Sequence, residues 1–90
     1  MIFKHKALRR FVETGSMRGL PQASAHKLER LLSLLAAAKS LDDIHAGFGR
    51  LHQLRADRAG EWSFFVTRNW RLVFRFEDGN AVDIELVDYH

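Results

Sequence analysis

Apolar side chains recur with helical spacing as far as Ala38 and with strand spacing from Phe48 onward. Between His5 and Thr14, the positions Ala7, Leu8, Phe11 and Val12 follow i, i+3 and i+4, which predicts a helix. Gly15 supplies its C-terminal stop. Pro21 suits the first turn of a second helix running to about Ala38. Ala25, Leu28, Leu31, Leu32, Leu35 and Ala38 make one apolar face of that helix, while Lys27, Glu29 and Arg30 stay wet. The leucine stripe reads as core. Ser40, with Asp43 three residues on, resembles a capping box for a short turn through Ile44.

The second half alternates. Trp62, Phe64 and Val66 interleave with Ser63, Phe65 and Thr67, and Trp70, Leu72, Phe74 and Phe76 with Arg71, Val73 and Arg75. Val82, Ile84 and Leu86 interleave with Asp83, Glu85 and Val87. These are three strands; a fourth is expected around Arg50 to Leu54 and a short one at Ile2-Phe3. The fold class is α+β. A three-residue loop over Asp78-Gly79-Asn80, with Gly79 or Asn80 left-handed, pairs Phe76 with Val82, Phe74 with Ile84 and Leu72 with Leu86. That register sets Arg75 opposite Asp83, Arg71 opposite Val87, and Asp88 opposite Trp70 at the rim of the apolar side.

Composition narrows the class. The 90 residues, 47% hydrophobic and 28% charged, are expected to form one domain over 1–90 that buries roughly 60–65% of its unfolded surface. Without cysteine there is neither a disulfide framework nor a thiolate metal site. Lys4 and Lys6 follow Ile2-Phe3 before any apolar signal region forms, and Leu34 to Ala38 is far too short to span a bilayer. A cytoplasmic protein without membrane contact is expected. The net charge of +3 is compatible with a polyanionic partner. Lys4, Lys6, Arg9 and Arg10 crowd the start, whereas acids gather between Glu77 and Asp88.

The candidate chemistry lies in His52, Arg55, Arg71 and the closing Asp88-Tyr89-His90. Metal-free RNA cleavage needs a base for the 2′-OH, cations for the phosphorane and an acid for the leaving 5′-oxygen. Histidine, with an unperturbed pKa of ~6.5, serves as base or acid, and arginine forks onto phosphate oxygens. Residue chemistry alone also fits blander roles: Arg71 and Arg75 as solvated strand residues, His52 as a structural histidine. No metal-ligand spacing and no phosphate-cradling glycine loop is present, so no cofactor is expected. His5, His26 and His45 receive no role.

In order and at this spacing, Phe3-Lys4-His5-Lys6, Leu51-His52-Gln53-Leu54-Arg55, Asp57 to Ser63, Asn69-Trp70-Arg71-Leu72-Val73-Phe74-Arg75-Phe76 and Asp88-Tyr89-His90 resemble the RelE/ParE superfamily of toxins, in its HigB-type branch. The resemblance covers nearly the whole chain. It implies two N-terminal helices packed on one face of a small, mostly antiparallel sheet of four or five strands. It also implies a ribosome-dependent endoribonuclease that cuts mRNA in the ribosomal A site and arrests translation. The implied partners are the 70S ribosome with mRNA and a cognate HigA-type helix-turn-helix antitoxin, with operator DNA reached only through the antitoxin.

Under the resemblance His52, Arg71, Asp88, Tyr89 and His90 are the catalytic positions. Arg55 and Arg71 bind phosphate, and Lys4, Lys6, Arg9 and Arg10 dock ribosomal RNA. His90 is preferred over His52 as the base, the other histidine or Tyr89 is the acid, and Asp88 aligns His90. HigB-type proteins commonly carry lysine where Arg55 stands; arginine keeps the charge but donates no proton near neutrality, so the position reads as a phosphate holder. The competing readings are a ParE-like inhibitor of DNA gyrase and an inactive relative that only binds antitoxin.

Overall fold

The first helix forms where the apolar spacing puts it, and it starts on a histidine. In the computed structural model, which describes residues 1–45, 51–54 and 58–88, α1 spans Lys6–Thr14. His5 precedes it in an extended conformation, and its Nδ1 accepts a hydrogen bond from the Leu8 N–H at 3.3 Å. The ring thereby satisfies one of the first-turn amides that have no partner inside a helix. Gly15 ends α1 at φ 79°, donating its N–H to the Phe11 carbonyl at 2.8 Å. That left-handed conformation is one glycine adopts without steric cost.

Pro21 leads into a single 3-10 turn, Gln22–Ser24, and α2 follows over Ala25–Ala37, so the second helix starts later than the proline predicts. The Ser24 N–H bonds the Pro21 carbonyl at 3.0 Å, the shorter closure of the tighter helix. Leu28, Leu31, Leu32 and Leu35 of α2 are buried, as the stripe predicts. The short α3, Leu41–His45, follows Ser40, whose Oγ accepts from the Asp43 N–H at 3.4 Å. The Asp43 carboxylate returns to the Lys39 N–H at 2.9 Å, one residue further out than in a capping box.

Four strands, β1 (Leu51–Gln53), β2 (Trp62–Phe65), β3 (Trp70–Glu77) and β4 (Asn80–Asp88), form an antiparallel sheet in the order β1-β2-β3-β4. Arg50, placed by the pattern at the start of the first of these, lies outside the described residues. Beyond β4, Phe3 bridges Ile84 in parallel, with the Lys4 N–H donating to the Ile84 carbonyl at 2.9 Å. The short strand expected at Ile2-Phe3 is therefore a one-bridge edge.

Leu51, Phe64, Leu72 and Leu86 align across the four strands, and Phe64, Leu72 and Leu86 join Leu8, Leu28, Leu31, Leu35 and Ile84 in the apolar core. The helices thus cover one face of the sheet. Trp62 and Trp70 are half-buried against that core.

The β3–β4 hairpin corrects the expected turn. Its loop has two residues, Asp78 at φ 52° and Gly79 at φ 74°, and Glu77 pairs with Asn80. Two left-handed residues match the right-handed twist of the strands, which favours this short loop. Phe76 therefore pairs with Ala81 and Arg75 with Val82, rather than with Val82 and Asp83. A bulge between Val73 and Arg75 restores the expected register below it, where Leu72 meets Leu86, Arg71 meets Val87 and Trp70 meets Asp88. Asp83, at φ 51°, sits in that bulge. Since Asp83 is exposed, Asp83→Val is expected to cost about 1–2 kcal/mol through its backbone alone. Asp83→Gly should cost nothing. Equal losses for both variants in urea unfolding would show that the carboxylate, and not the left-handed backbone, carries the effect.

Candidate active site

The alternation that buries Leu51, Phe64, Leu72 and Leu86 turns the intervening residues to the sheet's second face. His52, Ser63, Val73 and Glu85 form one row across the four strands there, and Phe65, Arg71 and Val87 the next. His52 is exposed on edge strand β1. Arg71 is half-buried on β3, two strands away and two residues along. Strand spacing and rise put their Cα atoms about 12 Å apart, within reach of one phosphodiester held between the two side chains.

Arg71 is held in place by its surroundings. Its guanidinium carbon lies 4.7 Å from the centre of the Phe65 ring, a cation–π contact. Its Nη1 donates to the carbonyls of Thr67 at 2.6 Å, in the β2–β3 turn, and of Trp70 at 3.1 Å, at the start of β3. Phe65, which the alternation assigns to the wet face, is thus half-covered by this arginine.

Asp88 is exposed at the end of β4 opposite Trp70, at the rim of the apolar side, one residue past the partner of Arg71. Lys4 is exposed beside the second face, its Nζ 3.9 Å from Glu85 Oε1. Lys6, Arg9 and Arg10 are exposed on α1, in the helix layer. The described fold therefore brings His52, Arg71 and Lys4 to one face and leaves the α1 cations on the other side of the sheet. Arg55, Tyr89 and His90 lie outside the described residues.

Sequence reasoning missed the ion network on this face. Arg58, in the connection between β1 and β2, donates through Nη2 to Glu85 Oε1 at 2.5 Å and to Glu61 Oε2 at 3.2 Å. The hydrogen bond to Glu85, supported by the charges of both glutamates, raises the Arg58 pKa against the opposing effect of burial. Arg58 thereby joins the β1–β2 connection to β4 on the face away from the described helices, where Ser63 and Val73 are buried. The available signal was parity: Glu85 alternates in phase with Arg71's partner Val87. Arg75, expected to pair with Asp83, reaches Glu77 instead, at 3.4 Å.

Among the described residues, no group of three or more His, Asp or Glu side chains gathers to hold a metal. No described helix is long and apolar enough to cross a membrane.

Comparison with known proteins gives the face its context. Residues 1–90 match the family model described as the RelE-like toxin of type II toxin-antitoxin system HigB. The endoribonuclease HigB of Proteus vulgaris is 34% identical over 88 residues, covering 98% of this chain and 96% of that protein. The chain belongs to the HigB-like family of RelE-like toxins from type II toxin-antitoxin systems.

Proposed function

We propose that this toxin is an endoribonuclease that cuts mRNA in the ribosomal A site and so inhibits translation. The observation that carries the reading is the shared face of His52 and Arg71, a proton carrier and a phosphate-binding cation, in a chain similar along its length to an endoribonuclease. In this scheme His90 takes the 2′-OH proton, and the 2′-oxygen attacks phosphorus. The bond to the 5′-oxygen breaks, and His52 gives that oxygen its proton, with Tyr89 as the alternative donor. Arg71 and Arg55 hold the phosphate and offset the charge that builds on it, and Asp88 aligns His90. The products are a 2′,3′-cyclic phosphate and a 5′-hydroxyl, and the residues named supply every proton transfer.

Lys4 borders the reactive face and meets RNA there, whereas Lys6, Arg9 and Arg10 present the helix layer to ribosomal RNA. The toxin acts in the cytoplasm as one domain over 1–90, and a HigA-type helix-turn-helix antitoxin neutralises it and contacts operator DNA on its behalf.

The test maps mRNA 5′ ends after the protein is added to programmed ribosomes in chelator, beside the same mRNA without ribosomes. Discrete cuts confined to the decoding site and absent without ribosomes are expected. Intact mRNA alongside a working translation control would overturn the nuclease reading, and a parallel supercoiling assay would then decide whether gyrase is the target.

A further inference from the structure

The Arg58 network ties the connection that follows the strand carrying His52 to β4, at the opposite end of the four-stranded order. Among the described residues β1 is an edge strand of three residues paired with β2 alone, a short ladder. Beyond its C-terminal end, the Leu54 N–H donates to the Glu61 carbonyl at 2.9 Å. Glu61 in turn donates its own N–H to the Arg58 carbonyl at 3.1 Å and accepts the Arg58 guanidinium on its carboxylate at 3.2 Å. That guanidinium is pinned by Glu85 at 2.5 Å, on β4, the strand that pairs most extensively with β3. A continuous path therefore runs from β4 through Glu85, Arg58, Glu61 and Leu54 to a point two residues from His52.

We propose that Glu85 is a positioning residue for His52, acting through Arg58 and Glu61, a role that rests on the nuclease reading above. The bridge has the geometry for this. Glu85 and Arg58 are only partly exposed, with side chains 20% and 37% accessible, so water screens the pair less than it would two free surface ions. Among the described residues Lys4 is the other cation near Glu85, but at 3.9 Å and largely exposed it is a loose partner that does not replace Arg58. Glu61 also stands directly before β2, whose Ser63 faces His52, so a shift of Glu61 reaches both Leu54, two residues from that histidine, and its cross-strand partner Ser63. Without the Glu85 contact, the connection loses its tie to β4 and β1 swings on its short ladder. A general acid displaced by about 1 Å loses roughly 10²-fold in rate while substrate binding elsewhere is untouched.

The experiment uses Glu85→Gln, Arg58→Met and the double variant, each compared with wild type in two assays. The first is amide hydrogen exchange by NMR on the free protein. The Leu54 and Glu61 amides are expected to exchange about tenfold faster or more in each variant, while the Leu72 and Leu86 amides of the β3–β4 pair keep their rates. The second is single-turnover mRNA cleavage on programmed ribosomes as a function of toxin concentration. The maximal rate should fall about tenfold or more with half-saturation unchanged, and the double variant should be no slower than the slower single one, because both substitutions break the same path. A purely structural loss would instead lower the active fraction and accelerate exchange throughout the sheet. Unchanged Leu54 exchange, additive rate losses or a loss confined to half-saturation would each overturn the proposal. Wild-type protein that leaves mRNA intact would overturn the nuclease reading and with it the catalytic half, and the exchange rates would then still decide whether the tie to β1 exists.

Discussion

Alanine at His52 or at His90 is expected to slow mRNA cleavage on programmed ribosomes by about 10²- to 10⁴-fold, the range for a positioned general acid or base. The fold should not register the loss at His52. That ring is exposed on edge strand β1 and fills no part of the core, so His52→Ala opens no cavity and the melting temperature should stay close to that of wild type. Single-turnover rates at saturating toxin isolate chemistry from binding. The two variants are then separated by the leaving group. An mRNA with sulfur in place of the bridging 5′-oxygen expels a thiolate, which needs no proton, since a thiol ionises near pKa ~8.5 and an alcohol far higher. The scheme expects that substrate to restore the His52→Ala variant and to leave His90→Ala slow. Restoration of His90→Ala instead would exchange the two roles. Wild-type rates for both variants on the natural substrate would sink the acid–base scheme.

The hairpin shows where the hydrophobic pattern stops being informative. A three-residue loop without a bulge and a two-residue loop with one extra residue in β4 insert the same offset between the strands. Both give Leu72 opposite Leu86 and Trp70 opposite Asp88. Alternation reports only which residues must meet on the buried side, and at the base of the hairpin the two arrangements bury the same ones. They differ near the tip, where Phe76 is half-buried and Ala81 is fully buried. The signal that would have decided it was local: Asp78-Gly79 is a favoured pair for two left-handed residues, and Asp83 is of a type that tolerates the same conformation.

The site was legible to the same degree. Strand parity put Arg71 on the face away from the helices and opposite Val87, and the fold agrees. Alternation placed a strand around His52 but assigned it no partner; its pairing opposite Ser63 comes from the fold. Parity cannot report a connection folding back over a sheet. Ser63 and Val73 alternate with core residues and therefore read as wet, yet they are buried, in the row that ends at Glu85, the residue Arg58 binds from the β1–β2 connection. That contact joins residues 27 positions apart and has no periodic signature. His5 illustrates the converse: no partner for it is visible along the chain, because its partner is the backbone N–H of Leu8.

Phe74→Ala is expected to produce the largest loss of stability. Phe74 is fully buried on β3, and its ring packs 5.5 Å from that of Phe64 at an interplanar angle of 28°. Truncation removes the ring's transfer free energy and leaves a void that surrounding side chains fill only in part, together about 3–5 kcal/mol. Domains of this size have roughly 5–15 kcal/mol in total, so the variant keeps little margin. The melting temperature should fall by at least about 12 °C, since each kcal/mol is worth about 4–8 °C in a domain of 60–100 residues. Phe74→Leu retains most of the apolar volume and should lose about 1–2 kcal/mol, which separates the cavity from any disturbance of the strand. Thermal melts and urea unfolding of both variants give the comparison, and a loss below about 1 kcal/mol for alanine would mean that the phenylalanine pair is not the centre of this core. The consequence reaches the candidate site through the chain itself. Phe74 lies between Val73 and Arg75 and pairs with Trp62, which stands beside Glu61. Cleavage by Phe74→Ala should therefore decline with the folded fraction as temperature rises, whereas His52→Ala stays folded and slow at every temperature.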